Sequence, residues 1–392
     1  MKKIFYWLVK HRMQKILSAV LAVLFLFPLL PAKTQAAEYA DKVDAASAIL
    51  IEATSGMVLF EQNADEALPP ASVTKIMTLL LCMEAVDGGK ISMSDPVTVS
   101  EYAASMGGSQ VYLEPGEQMS VEDMIKSVVV SSANDAAVAL AEHIAGSEAS
   151  FVSMMNEKAA ALGMKNTHFQ NTNGLDDTVT DHLTSARDIA IMSAELLKHE
   201  KILDYTSIWQ DTIRGGAFTL SNTNRLIRFY EGANGLKTGS TSKAKFCISA
   251  TAKRDGMQLI CVIMGSPTRD IRNAEAKKLL DFGFANYGVY TYNSESLGEV
   301  KVVGGVSEST SLVSGSFSCV LDKGKISDVH KSIELKEQYA APVKSGECVG
   351  KVVFTLDSEI IGECDITTTN SVDKISFGDV FLRILVKFAT II

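Results

Sequence analysis

Ser72-Val73-Thr74-Lys75 sets a hydroxyl and an amine three residues apart, a spacing that brings both to one face of a helix. A serine alcohol is a poor nucleophile until a neighbouring base takes its proton, and lysine serves as that base when burial or nearby cations depress its pKa. A helix starting here would also aim free backbone N–H groups at any anion formed. Alone the spacing is weak, because Ser240/Lys243, Ser242/Lys245 and Ser371/Lys374 repeat it. Two groups that follow in order set Ser72 apart. Ser132-Ala133-Asn134 is the only Ser-x-Asn in the chain. With Ser131 and Asp135 it interrupts the apolar stretch 124–140, where such a cluster is costly to bury without purpose. Lys237-Thr238-Gly239, with Ser240 after it, follows a turn at 232–235, whereas a second Lys-Ser-Gly at Lys344 falls out of order in a β-rich region.

The elements that must position these residues are readable from periodicity. Apolar runs at 48–51 and 57–60 flank Thr54-Ser55-Gly56 and read as a hairpin of a central sheet. Pro69-Pro70-Ala71 punctuates the chain, and an apolar run then reaches Gly88-Gly89, which predicts a buried helix beginning close to Ser72. Helical patterns follow at 121–144, 149–162 and 184–197. Strands at 246–252 and 257–264 are joined by Arg254-Asp255-Gly256, and a helix near 274–284 closes the region. From about 299 to 368 short alternating strands read as a separate small all-β domain. It holds His330 and many acids but no convergent catalytic set, so a spacer or docking role is the expectation.

Charge and composition narrow the partners. The chain has 392 residues and a formal charge of -9, yet residues 1–36 carry six basic residues and no acid, so removing six positive charges leaves -15. An acidic body without basic clusters argues against nucleic acid as a partner. A basic stretch to Lys15, an apolar run at 16–30 and small residues before Ala37 read as a cleaved secretory signal, and the apolar run is short for a spanning anchor. The six cysteines (82, 247, 261, 319, 348, 364) have no metal-like spacing and read as buried free thiols, with a bridge among the last three as the alternative. No His-Glu-x-x-His occurs, and no metal or other cofactor is expected. At the C-terminus Asp379, Arg383 and Lys387 share one face of an otherwise apolar segment of about 21 Å. That is too short to span a bilayer, and it predicts a helix lying in the membrane interface.

The three ordered motifs make the chain resemble the low-molecular-mass penicillin-binding proteins of the D-alanyl-D-alanine carboxypeptidase family. Supporting stretches are Pro70-Ala71 before Ser72, Asn134-Asp135-Ala136, Met155-Asn156, Leu162-Gly163-Met164, Asn173-Gly174-Leu175-Asp176 and Ala186-Arg187-Asp188. The likeness is close over 45–287. It implies an α/β (α+β) fold of the β-lactamase/transpeptidase-like kind, with a central antiparallel sheet and a helical subdomain over 37–290. A small β-rich domain over 298–368 and an amphipathic membrane-anchoring helix over 372–392 would follow. By the resemblance Ser72 attacks the D-Ala-D-Ala carbonyl of a peptidoglycan stem peptide, Lys75 accepts its proton, and Ser132 relays a proton to the leaving amine. Asn134 holds the substrate amide, Lys237 gives electrostatic support, and Thr238 meets the substrate carboxylate. Gly239 completes that motif, and the N–H groups of Ser72 and Ser240 form the oxyanion hole. Arg272 is expected to bind the free carboxylate, with Arg269 as its alternative. β-Lactam antibiotics would be covalent inhibitors, and the enzyme would work exported, on the outer face of the cytoplasmic membrane. One departure is Ala133, where many relatives have glycine.

Three other functions compete. A class A β-lactamase adds a glutamate that activates the deacylating water, and 171–182 offers only Asp176, Asp177 and Asp181. A non-catalytic wall-binding scaffold would have no use for a buried lysine beside a serine. A Ser-His-Asp hydrolase using His168 or His182 lacks a Gly-x-Ser-x-Gly elbow.

Overall fold

The computed structural model describes residue 39 and residues 41–389. The signal-like segment read at 1–36 and the final residues 390–392 lie outside the described residues. Five antiparallel strands form the central sheet, in the order Val58–Gln62, Ser47–Glu52, Met257–Ser266, Lys245–Arg254 and Ala233–Thr241. Every residue of Ser47–Glu52 is buried, which requires cover on both faces. The helices Ala186–Leu197 and Arg269–Asn286 both pack on this strand and on Met257–Ser266.

The helical subdomain is built around Lys75–Asp87, in which every residue from Lys75 to Met83 is buried. A helix apolar on all sides belongs in a core, and this one packs against the helices Val121–Val130, Asn134–Ala145 and Glu148–Ala161. Side-chain caps set several starts: Ser120 accepts from the Asp123 amide, Ser185 from Asp188 and Thr268 from Ile271. The Thr268 cap starts the last of these helices at Arg269, five residues ahead of the expected 274.

Two local departures from the sequence reading matter for the site. Ser72 lies in a 3-10 turn, Ala71–Thr74, and the α-helix proper starts at Lys75. The continuous helical pattern read at 121–144 is two helices, broken between Val130 and Asn134. Ser132 sits at φ 62, a left-handed conformation that no continuous α-helix accommodates.

Beyond Asn286 the strand Tyr287–Tyr292 pairs antiparallel with Phe317–Asp322. A six-stranded sheet runs His330–Leu335, Cys348–Leu356, Glu359–Thr368, Ser309–Ser314, Ser296–Val303 and Gln338–Ala340. Its core holds Phe354, stacked on Phe317 at 4.6 Å between ring centres, with Tyr290 and Tyr292 beside it. All six cysteines are free: Cys82, Cys247 and Cys261 are buried as expected, but Cys348 is exposed, so burial does not describe the whole set. The terminal helix Phe377–Ala389 is capped by Ser376, whose Oγ accepts from the Asp379 amide while Asp379 accepts from Ser376 N. Phe377 is 87% exposed, and Phe381, Leu382 and Ile384 are exposed too. No helix among the described residues is long and apolar enough to cross a membrane.

Candidate active site

Lys75 is fully buried, and its Nζ meets three oxygens: Ser72 Oγ at 2.9 Å, Asn134 Oδ1 at 2.6 Å and the Asn173 carbonyl at 2.7 Å. Burial is the main cause that holds its pKa well below the ordinary lysine value, and the nearby Lys237 charge adds to it against Asp135. The two amide carbonyl oxygens can only accept. Two of the Lys75 N–H groups therefore go to Asn134 and Asn173, so that when the amine is neutral its lone pair is left for Ser72 Oγ. That is the arrangement a general base needs.

The break between the two helices places the second motif. Ser132 turns the chain and Asn134 opens the next helix, with its N–H on Ser109 O at 2.7 Å and its Nδ2 on Gly107 O at 2.7 Å. Asp135, wholly buried, accepts from the amides of Val111 and Leu113 and so fixes the same loop. The third motif lies on the edge strand Ala233–Thr241, next to the Ser72 turn. A Cβ on Gly239 would stand 2.8 Å from Ser72 N and 2.9 Å from Val73 N, so only glycine allows this approach. Lys237 Nζ donates to Thr238 O at 3.1 Å, and burial, then Arg272, pushes its pKa down to about 7. Thr238 donates to Thr223 Oγ1 at 2.8 Å.

Ser72, Ser132, Thr238, Gly239, Ser240 and Arg272 line one cavity of about 420 Å³, together with Ser109, Trp209, Thr223, Arg225 and Arg269. Lys75 and Lys237 stand behind this wall, and Asn134 is buried beside it with its Oδ1 on Lys75. Of the two arginines weighed from sequence, Arg272 is 2% exposed and held by Cys247 O at 3.2 Å and Asn273 Oδ1 at 2.9 Å, whereas Arg269 is exposed. No carboxylate lines the cavity. Asp176 accepts from Thr241 Oγ1 at 2.5 Å, and Asp181 pairs with His168 at 2.9 Å. His182 reaches Thr74 rather than Ser72. Among the described residues no cluster of three or more His, Cys, Asp or Glu is placed to hold a metal.

Sequence reasoning missed Asn173, whose part is played by a backbone carbonyl, and Arg225, which stands in the polar run Asn222-Thr223-Asn224 with no spacing to point to it. The Asn-Gly pair at 173–174 is visible in the sequence, but nothing in a side-chain pattern announces a main-chain acceptor.

The chain matches the family described as D-alanyl-D-alanine carboxypeptidase over residues 33–268, and the penicillin-binding protein 5 C-terminal domain over residues 285–374. It is 46% identical to the D-alanyl-D-alanine carboxypeptidase DacF of Bacillus subtilis, over 85% of this chain and 87% of that one. Its structure is similar to penicillin-binding protein 5 of Haemophilus influenzae, with a TM-score of 0.71 and 34% identity over 86% of this chain and 100% of that one. It is also similar to the ampicillin-bound form of penicillin-binding protein D2 of Listeria monocytogenes, with a TM-score of 0.57 and 33% identity over 62% of this chain and 98% of that one.

Proposed function

Because the chain belongs to the D-alanyl-D-alanine carboxypeptidase family of penicillin-binding proteins, a family of serine peptidases, we propose that Ser72 is its nucleophile and Lys75 the base that activates it. The observation that carries this assignment is the 2.9 Å contact between Lys75 Nζ and Ser72 Oγ, made by a buried amine whose other two directions end on acceptors. The chain is a serine-type D-alanyl-D-alanine carboxypeptidase, and its chemistry is acyl transfer to and from serine.

The Ser72 proton passes to Lys75 Nζ as Oγ bonds to the carbonyl carbon of the penultimate D-alanine. The developing oxyanion is assigned to the N–H groups of Ser72 and Ser240, and Gly239, the residue before Ser240, is what lets its strand come close to Ser72 N. Ser132 relays the proton now held on Lys75 Nζ to the departing amine as the C–N bond breaks, and water then hydrolyses the Ser72 ester, its proton passing back to Ser72 Oγ. Asn134 holds the substrate amide, and Lys237 adds positive potential behind the wall. Thr238 and Arg272 take the free carboxylate, for which the buried, already tethered guanidinium is better organised than the exposed Arg269. A β-lactam closes the same ester on Ser72. The cavity wall holds no glutamate like the one a class A β-lactamase uses to activate water, and the leaving amine of an opened β-lactam stays tethered to the acyl group, so the penicilloyl ester is expected to outlive the peptidyl one.

Peptide mapping of the penicillin-treated protein tests the assignment. The penicilloyl mass is expected on the peptide containing Ser72 and is expected to persist over many carboxypeptidase turnovers. Its recovery on a peptide containing Ser132, or no adduct at all, would overturn it.

We further propose that the enzyme is exported and held at the outer face of the cytoplasmic membrane by the terminal helix. Support comes from the signal-like pattern of 1–36 and from the apolar exposure of Phe377, Phe381 and Leu382 on a helix too short to span. A chain of residues 37–392 is expected to co-sediment with phosphatidylglycerol vesicles, and one ending at residue 374 to stay in solution with its carboxypeptidase kcat/KM intact. Equal sedimentation of the two would remove the anchor.

A further inference from the structure

His182 is buried behind the nucleophile turn and does not touch Ser72. The Gln170 N–H donates to its Nδ1 at 3.0 Å, so that nitrogen holds the lone pair and the neutral ring carries its hydrogen on Nε2. Nε2 lies 2.8 Å from Thr74 Oγ1, and Thr74 Oγ1 donates to the Ala71 carbonyl at 2.9 Å. Each link fixes the direction of the next, from the Gln170 amide through the imidazole and the hydroxyl to Ala71. Ala71 needs such a hold. Its φ is 49, a left-handed value that a residue with a Cβ keeps only where its surroundings impose it, and the next residue is Ser72.

We propose that His182 is a positioning residue for the nucleophile, holding the Ala71–Thr74 turn through Thr74 so that Ser72 Oγ stays on Lys75 Nζ. The ring is kept in place by Phe169, edge to face at 5.7 Å. The titratable groups around it are His168, Asp176 and Lys75. Burial, then the His168 charge, pushes its pKa down to about 4, which keeps the accepting Nδ1 free of a proton at neutral pH. Thr74 and Lys75 are adjacent, so one turn carries both the nucleophile and the start of the helix that bears its base. A displacement of about 1 Å at reacting atoms costs on the order of 10²-fold in rate.

The role rests on Ser72 being the nucleophile, and the two can fail separately: an adduct mapped elsewhere removes the premise, whereas unchanged rates with an adduct on Ser72 remove only the part of His182. The test compares His182→Phe, His182→Gln and Thr74→Val in penicillin acylation rate, kcat, KM and melting temperature. His182→Phe keeps the ring contact and loses both hydrogen bonds, so acylation and kcat are expected to fall about 10- to 100-fold with KM nearly unchanged. Glutamine can present an N–H to Thr74, and His182→Gln is expected to recover most of that loss. Thr74→Val breaks the same chain at its next link and is expected to mimic His182→Phe, with the double variant no worse than either single one. A His182→Phe enzyme with full kcat overturns the proposal, as do equal losses in Phe and Gln variants or additive losses in the double variant. If His182→Phe does not fold, Thr74→Val decides alone by whether its kcat falls.

Discussion

Replacement of Lys75 by methionine is expected to lower penicillin acylation and D-alanine release by about 10³-fold or more while leaving the protein folded. Methionine has nearly the length of lysine but no basic nitrogen, so the Ser72 proton has no acceptor within reach, and general-base assistance alone is worth about 10² to 10⁴. The loss of positioning adds to that, because Lys75 also ties Ser72 to Asn134 and to the Asn173 carbonyl. Stability moves less, since two effects oppose. Removing the amine leaves buried acceptors without a donor, at about 1–3 kcal/mol each, while it relieves the desolvation of a wholly buried amine. Stopped-flow acylation beside a thermal melt separates the two. Acylation within tenfold of wild type would sink the role of Lys75 as base. Lys75→Arg serves as a second probe, because a guanidinium keeps its charge and is not deprotonated, and it is expected to be equally inactive.

Gly174→Ala carries the second large effect, through geometry alone. A Cβ built on Gly174 would lie 1.8 Å from the Ala71 carbonyl oxygen, 2.3 Å from its carbon and 2.8 Å from Thr74 Oγ1, at a backbone φ of 85 that disfavours any side chain. Main-chain atoms cannot yield as the tip of a flexible side chain can. Either the Ser72 turn or the loop that presents the Asn173 carbonyl must move, and both meet at Lys75. The expected result is a loss of about 10²-fold or more in acylation, with destabilisation of about 3 kcal/mol from strain and overpacking. Acylation kinetics and melting temperature measured together check it, and an alanine variant with wild-type acylation would show that the loop does not set the site.

How much of this was legible in the sequence depends on what kind of atom does the work. The roles proposed for Ser72, Lys75, Ser132, Asn134 and Lys237 belong to side chains in short ordered motifs, and a sequence displays those directly. The hairpin 245–266 and the helix behind Ser72 were legible because apolar periodicity and turn residues report burial. The break at Ser132 was not, because the helices on either side bury apolar residues, so the pattern runs through the interruption. A positive φ at serine leaves no mark in composition. Asn173 contributes a main-chain oxygen, which every residue has, and Arg225 joins the cavity through tertiary contact rather than position in the chain. His182 shows a subtler limit. A search for catalytic histidines marks it as a candidate base, and the alternative is a satisfied structural ring. Its hydrogen bonds give a third answer that neither type nor spacing contains.

The cavity wall has a consequence for chemoselectivity. Amines are ordinarily the softer and more reactive partners of an acylating agent, yet Lys75 and Lys237 lie behind the surface that a ligand meets. The residues that line the cavity include the hydroxyl-bearing Ser72, Ser109, Ser132, Thr238 and Ser240, together with Arg225, Arg269 and Arg272 and no lysine. An electrophile entering this space can be captured as an ester, which water can open again, and is denied the amide that would end the enzyme's working life at its first turnover.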